Sequence, residues 1–207
     1  MENKKIIPLF STPLYVSQVN LLNDEIEFIK KTNYLRVPAN NGFMSKNNNI
    51  LKNKNLKNLN KQIIEHLKFY KEEIFSIANN INVFIKHSWL MKHIKGDKSQ
   101  KHFHENSLIS GIVYVKTPEK SGNIIFHKKN SVINDVSPLI QLNFNEFNLF
   151  NSGAWNLDVE ENMIVLFPSY LDHSTEINES NDERYCLSFD TFLKGKIKTY
   201  DKELEIK

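Results

Sequence analysis

The spacing of hydrophobic residues changes from a helical period to an alternating one near residue 80. From Leu56 to Ile77, apolar residues recur every three or four positions between lysines and glutamates, which predicts an amphipathic helix. A shorter helix is expected to follow an N-cap at Asn23 and to end near Lys31, because acidic residues lie in its first turn and lysines in its last. The stretch Ile6–Val19 alternates loosely around two prolines and predicts an edge strand or an extended lead-in. The polar stretch Asn33–Asn55 predicts a long irregular connection.

Beyond residue 80, short apolar runs predict strands. These runs are Val83–Ile94, Ile109–Lys116, Asn123–His127, Met163–Phe167 and Tyr185–Phe189. Turn residues at 118–122 predict that the second and third runs form a hairpin. Many short strands after a helical start are typical of a mainly-β protein of the α+β class, either a β-sandwich or a jelly-roll barrel with helices packed outside it.

The length of 207 residues fits one domain with a substantial core. We expect a helical N-terminal part at residues 1–80 and a jelly-roll core at residues 81–193. Residues 194–207 form a lysine-rich tail that is expected to fray.

Composition excludes several classes of function. The net charge of +3 is small and the lysines are scattered, so binding to nucleic acid is not indicated. No stretch approaches the ~20 apolar residues of a membrane helix, and we expect a soluble cytoplasmic protein without a membrane partner. The single cysteine, Cys186, suits a reducing compartment and is expected to be a small buried hydrophobic residue.

Candidate chemistry is concentrated in three histidines. His102 and His104 lie two positions apart just before an apolar run, so alternation along a strand would bring both imidazoles to one face. An isolated His-x-His pair is about as often a pair of ordinary polar residues at the mouth of a strand. His173 makes a metal site the favoured interpretation, because it also follows an apolar strand and a turn. Three histidines at strand ends can meet at one metal ion.

A second candidate group follows on the next strand. Arg184 comes eleven residues after His173, and Ser188 lies on the same strand face by the period-two rule. A guanidinium can hold a carboxylate through two parallel hydrogen bonds, and a serine hydroxyl can add a third. The remaining histidines are expected to be surface or hydrogen-bonded residues without a metal, and the tryptophans are expected to lie in the core: His66, His87, His93 and His127; Trp89 and Trp155.

These motifs together resemble the 2-oxoglutarate- and Fe(II)-dependent dioxygenases with a double-stranded β-helix core, and within them a subgroup that reads His-x-His at the metal site. The resemblance spans nearly the whole chain, and its motifs are specific only in combination. They are Pro8–Pro13, Gly42–Ser45, His102–Val115, Ser121–Phe126, Leu166–His173 and Glu183–Phe189.

The resemblance implies that His102 and His173 bind Fe(II). It also implies that Arg184 pairs with the distal carboxylate of 2-oxoglutarate, assisted by Ser188 or Tyr114. The superfamily normally carries Asp or Glu two positions after the first histidine, completing a facial triad, whereas this chain carries His104.

We favour a three-histidine site, because the subgroup shares this departure. The open alternative is that His104 is the first ligand and Asn106 completes a His-x-Asn arrangement. Glu105 would project to the opposite strand face and is a poor replacement.

The implied activity couples oxidative decarboxylation of 2-oxoglutarate to oxidation of a C–H bond in a peptidyl or small-molecule substrate. Substrate selection is expected to fall to the Asn33–Asn55 and Lys128–Asn156 segments. A homodimer is compatible with these expectations. Two alternatives use the same histidines: a cupin-like metal- or ligand-binding module without turnover, which would not need Arg184, and a zinc hydrolase with Glu105 as general base.

Overall fold

Two short helices precede most of the strands. The computed structural model describes residues 5–38, 41–128, 140, 142–199 and 201–207. Helix α1 is Asn23–Lys31 and helix α2 is Lys57–Phe69, which a π-helical turn extends to Ile74. The buried carboxylate of Glu25 accepts hydrogen bonds from the backbone N–H groups of Leu22 and Leu59. One acidic side chain therefore satisfies a donor at the start of each helix and joins the two.

The strands form a large and a small antiparallel sheet. They are β1 Tyr15–Gln18, β2 Tyr34–Val37, β3 Gly42–Ser45, β4 Ile81–His93, β5 Ile109–Lys116, β6 Ile124–His127, β7 Ala154–Leu157, β8 Met163–Pro168, β9 His173–Thr175, β10 Arg184–Thr199 and β11 Lys202–Ile206. The large sheet has the order β1-β8-β5-β10-β4-β3-β2, with β11 also paired to β10, and the small sheet has the order β7-β6-β9.

Alternation along the long strands separates two hydrophobic cores. One face of the large sheet packs on the helices: Leu90, Val113, Leu166 and Leu187 share a cluster with Ile29 and Leu67. The opposite face, which we call the inner face, packs on the small sheet. Its apolar residues Met91, Ile112, Val165 and Cys186 share a cluster with Ile124 and Phe126 of β6. The helices therefore lie outside a two-sheet jelly roll, as predicted.

Three predictions about individual segments are wrong. Ile109–Lys116 and Asn123–His127 do not form a hairpin, because β5 pairs with β8 and β10 whereas β6 pairs with β7 and β9. The connection predicted at Asn33–Asn55 contains the antiparallel pair β2 and β3, so the first 80 residues are not only helical. The tail predicted to fray continues β10 to Thr199 and pairs it with β11.

The short first helix and the edge position of β1 are confirmed by the structure. Helix α1 begins one residue earlier than predicted, because its N-cap is Leu22 and not Asn23. Among the described residues, no helix has the length and apolar character needed to cross a membrane.

Candidate metal and cosubstrate site

The structure brings the three predicted histidines together at one end of the jelly roll. One potential ligand atom from each of His102, His104 and His173 lies within 4.8 Å of the others. The backbones of His102 and His173 exchange two hydrogen bonds of 2.9 and 2.8 Å, forming an isolated antiparallel bridge. The N–H of His104 donates to the carbonyl of Ser169 at 2.9 Å. These backbone hydrogen bonds therefore fix the main-chain position from which each imidazole projects.

Each of these imidazoles uses its Nδ1 atom for a hydrogen bond inside the protein. The Nδ1 atoms of His102 and His173 lie 2.7 and 3.0 Å from the carbonyls of Gln100 and Leu171. Nδ1 of His104 lies 2.6 Å from a carboxylate oxygen of Asp190. Because the acceptors are oxygens, each Nδ1 carries the hydrogen, and each Nε2 keeps the lone pair that a metal ion binds. The residues present thus fit a metal held by three imidazoles.

Burial keeps two of these histidines neutral, as metal ligands must be. Burial, reinforced by the neighbouring His102, lowers the pKa of His173 from 6.5 to about 3. Burial likewise lowers the pKa of His102 below its usual 6.5. Trp89 stacks on His104 with ring centroids 5.7 Å apart, and Phe167 meets His173 edge-on at 4.8 Å. Aromatic rings therefore contact His104 and His173.

Asp190 is a site residue that the sequence interpretation missed. Its Oδ1 accepts hydrogen bonds from Nδ1 of His104 and from the hydroxyl of Ser110 at 2.6 and 2.7 Å. The side chains of His104 and Asp190 are only 9% and 16% exposed. A signal was present, since Asp190 continues the alternating inner-face set of β10 and is a charged residue between Phe189 and Thr191. The site therefore contains a carboxylate that contacts His104 from the side opposite its Nε2 atom.

Cross-strand register orders the inner face into rows between the histidines and Arg184. His87, Asp190 and Ser110 form the row nearest the histidines, and Trp89, Ser188 and Ile112 form the next. Met91, Cys186 and Tyr114 form the third row, and His93 with Arg184 forms the last. The two cosubstrate residues predicted beside Arg184, Ser188 and Tyr114, thus lie on the inner face between it and the histidines.

The guanidinium of Arg184 is a buried cation without a counter-ion among the described side chains. Arg184 is 1% exposed. Nη1 donates to the carbonyls of Ser121 and Gly122 at 3.1 and 2.8 Å, and Nη2 donates to Nδ1 of His93 at 2.7 Å. Nε has no hydrogen-bond partner. An uncompensated buried charge costs several kcal/mol, so this group favours an anionic ligand.

The chemistry of the residues between the two ends of the inner face suits a cosubstrate that carries a carboxylate. Arg184 and Asp190 are six residues apart on β10, about 20 Å at the usual rise of a strand. Burial raises the pKa of the Tyr114 hydroxyl above its ordinary value, so it remains a hydrogen-bond donor. The residues therefore fit a carboxylate at Arg184 and a metal at the histidines.

The residues of the alternative arrangements are exposed. Glu105 and Asn106 both lie at the surface, and Asn106 adopts a left-handed turn conformation with φ of 55°. The three histidines converge, which favours a ligand set of His102, His104 and His173 over one of His104 and Asn106. Glu105 is not a buried general base.

Some of the remaining predictions for histidines and tryptophans are confirmed, and one is wrong. His93 and His127 are hydrogen-bonded, as expected, and His66 lies 2.8 Å from the Tyr15 hydroxyl. The prediction that Trp155 belongs to the core is wrong, because Trp155 is 44% exposed. It faces the same side of the small sheet as Phe126 and His173, with which it forms a cross-strand row.

A protein-family comparison agrees with this geometry. Residues 87–190, about half of the chain, match the family described as "Putative 2OG-Fe(II) oxygenase". The chain belongs to the 2OG-Fe(II) oxygenase family. The match includes His102, His104, His173, Arg184 and Asp190, and enzymes of this family depend on Fe(II) and 2-oxoglutarate. No curated protein matches this oxygenase in sequence.

Solved structures of several 2-oxoglutarate oxygenases are similar in fold. HygX from Streptomyces hygroscopicus, crystallised with nickel, 2-oxoglutarate and hygromycin B, is 10% identical with a TM-score of 0.58, over 87% of this chain and 82% of HygX. A Pseudomonas putida prolyl-4-hydroxylase is 10% identical with a TM-score of 0.54, over 88% of this chain and 94% of that enzyme.

A viral collagen prolyl hydroxylase from Paramecium bursaria Chlorella virus-1, solved with 2-oxoglutarate, is 12% identical with a TM-score of 0.52, over 86% of this chain and 94% of its own. At these identities the likeness shows the double-stranded β-helix fold. Family membership makes the chain an oxidoreductase.

Proposed function

We propose that this oxygenase is a hydroxylase that oxidises a C–H bond of a peptidyl or small-molecule substrate. Fe(II) would be held by His102, His104 and His173, and 2-oxoglutarate would be anchored at Arg184. The observation that carries the proposal is the convergence of the three imidazoles within 4.8 Å, each with Nδ1 already bonded.

The protein's own residues have distinct roles in this proposal. When bound, Fe(II) and 2-oxoglutarate supply the activation of O₂, coupled to decarboxylation of the cosubstrate to succinate and CO₂. Arg184 offers Nε and the free hydrogen of Nη2 to the distal carboxylate, and its charge offsets that of the ligand. Ser188 and Tyr114 lie between Arg184 and the histidines, where their hydroxyls can orient the same carboxylate.

The substrate would enter at the histidine end of the inner face. His87 forms a cross-strand pair with Asp190, and its Nδ1 is buried without a hydrogen-bond partner among the described residues. Buried polar atoms are normally satisfied, so this atom is suited to a polar group of the substrate. Half-exposed Trp155 offers an aromatic surface in the row of His173.

Two segments are proposed to select the substrate. Within 33–55, Met44 of β3 packs against the inner core, so this segment reaches the interior of the jelly roll. Within 128–156, residues 129–139 and 141 lie outside the described part of the chain. Similar structures include prolyl hydroxylases and an enzyme crystallised with hygromycin B, which supports keeping both substrate classes.

The first experiment is an anaerobic titration of the metal-free protein with Fe(II) and then with 2-oxoglutarate. Chelation of the keto acid should produce a weak visible charge-transfer band. Exposure to O₂ with proline-containing peptides or small metabolites should then release succinate and add one oxygen atom to the substrate, measured by mass spectrometry.

The outcome separates the alternatives. Iron binding without the band would favour a metal-binding module without turnover. Hydrolytic activity of zinc-loaded protein that is indifferent to 2-oxoglutarate would favour a zinc hydrolase. Succinate release with a substrate that gains no oxygen would retain the oxygenase but contradict hydroxylation.

A further inference from the structure

Within the described residues, His93 is the one side chain that forms a hydrogen bond with the guanidinium of Arg184. The two residues form a cross-strand pair between β4 and β10, and Nη2 of Arg184 lies 2.7 Å from Nδ1 of His93. The other two hydrogen bonds of the guanidinium go to backbone carbonyls of the segment before β6. Three of the five guanidinium N–H groups are therefore held by the protein.

We propose that His93 is a positioning residue for 2-oxoglutarate: it accepts a hydrogen bond from Nη2 of Arg184 and thereby turns Nε and the second Nη2 hydrogen toward the cosubstrate carboxylate. This inference rests on the proposed function of Arg184. His93 itself does not contact the cosubstrate. It fixes the plane of the guanidinium, on which a two-point hydrogen bond to a carboxylate depends.

A neutral acceptor is the chemically suitable partner at this position. A carboxylate in place of His93 would form a buried ion pair with Arg184 and would compete with an anionic ligand. Burial and the adjacent charge of Arg184 lower the pKa of His93 from 6.5 to about 3, so the imidazole is neutral at physiological pH. His93 thus satisfies one hydrogen of the guanidinium while leaving its positive charge available.

The imidazole is also held in place from its other edge. His93 is 1% exposed, and its Nε2 lies 3.4 Å from the hydroxyl of Ser99. Gly42 of β3 lies directly against the ring, since a Cβ added there would be 2.6 Å from Cδ2 of His93. Because Arg184 donates to Nδ1, the hydrogen of the neutral ring is on Nε2, on the side of Ser99. The ring cannot rotate freely away from Arg184.

The test compares two amides that differ in where they place an oxygen. In His93→Asn the side-chain oxygen can occupy the position of Nδ1, whereas in His93→Gln it reaches the position of Nε2. His93→Leu removes the acceptor entirely. For each variant, the dissociation constants of Fe(II) and of 2-oxoglutarate are measured anaerobically, the second from the charge-transfer band of the full-length iron-loaded protein.

We expect all variants that fold to bind Fe(II) as the wild type does. The dissociation constant for 2-oxoglutarate should rise by about 10- to 100-fold in His93→Gln and His93→Leu, the usual effect of losing a hydrogen bond to a charged group. His93→Asn should stay within about threefold of the wild type. If His93→Leu fails to fold, the comparison of the two amides still decides.

Equal 2-oxoglutarate affinities for His93→Asn and His93→Gln would overturn the inference, as would a loss of Fe(II) affinity equal to that of 2-oxoglutarate. Failure of the wild-type protein to form the band at all would instead refute the proposed function of Arg184. The two failures are therefore distinguishable.

Discussion

Removal of the Asp190 carboxylate should weaken iron binding although Asp190 is not among the proposed ligands. The carboxylate holds Nδ1 of His104 at 2.6 Å in a nearly buried environment. In Asp190→Ala the N–H of His104 would lose its acceptor, and the imidazole would be free to rotate or to place its hydrogen on Nε2. Rotation would turn the Nε2 lone pair away from the metal position, and a hydrogen on Nε2 would block it.

The magnitude follows from the kind of hydrogen bond that is lost. A hydrogen bond to a charged group contributes about 1.5 to 3 kcal/mol, which corresponds to about 10- to 150-fold in a dissociation constant. Mutation of the residues that orient metal-binding histidines typically costs 10- to 100-fold in affinity. We therefore expect the Fe(II) dissociation constant of Asp190→Ala to rise by about 10- to 100-fold.

The assay is an anaerobic Fe(II) titration in competition with a coloured chelator. Ser110→Ala is the matched control, because it removes the other hydrogen bond to the same oxygen, a neutral donor at 2.7 Å. His104 keeps its carboxylate acceptor in this variant, so the Fe(II) dissociation constant should rise by less than about tenfold. Asp190→Asn keeps an acceptor oxygen but not the charge and should fall between the two.

Two results would refute this reasoning. Wild-type iron affinity in Asp190→Ala would show that His104 is oriented without the carboxylate or does not bind the metal. An effect of Ser110→Ala as large as that of Asp190→Ala would show that general packing, not the contact with His104, is responsible. Thermal unfolding of the metal-free variants separates either result from loss of folding.

Three further predictions concern the Arg184 end. Arg184→Gln should bind Fe(II) normally but raise the 2-oxoglutarate dissociation constant at least about tenfold, and unchanged affinity would contradict the anchoring role. Gly42→Ala should destabilise the protein by about 1 to 3 kcal/mol in urea unfolding, because its Cβ would lie 2.6 Å from the His93 ring; an unchanged midpoint would show that the ring can move. Burial lowers the pKa of His93 from 6.5 in the unfolded chain to about 3 in the folded protein. Between those pH values the unfolded chain binds a proton at His93 that the folded protein does not. The free energy of unfolding of the metal-free protein should therefore fall by about 1.4 kcal/mol for each pH unit as pH falls through this range. His93→Asn should flatten the slope of unfolding free energy against pH by that amount, and identical slopes would refute the assignment.

Local periodicity was sufficient to predict the face of β10 that carries Arg184 and Ser188, because alternation on a strand is a property of the strand alone. It could not predict the contact of Asp190 with His104. That contact requires β10 to lie next to a segment more than eighty residues earlier in the chain. The pairing of β10 also has a register shift between Asp190 and Thr191, and such irregularities change the direction of a strand.

The wrong hairpin has a similar cause. Turn residues at 118–122 fit either a hairpin within one sheet or a crossing between two sheets, and no local pattern distinguishes the two. The error at the C-terminus was avoidable. Lys196 and Lys198 of β10 pair with Glu205 and Glu203 of β11, and such alternating opposite charges are a recognisable sign of paired strands.

The two ends of the inner face share one electrostatic arrangement. At one end, the proposed metal ligands are three imidazoles, and the carboxylate of Asp190 contacts this set through His104. At the other end, the cation Arg184 is held by two carbonyls and the neutral His93. A carboxylate at position 104 would lie against the carboxylate of Asp190, and two like charges at that separation would repel each other. Histidine at 104 and aspartate at 190 are therefore mutually dependent, which gives a physical reason for the His-x-His departure from the family's usual pattern.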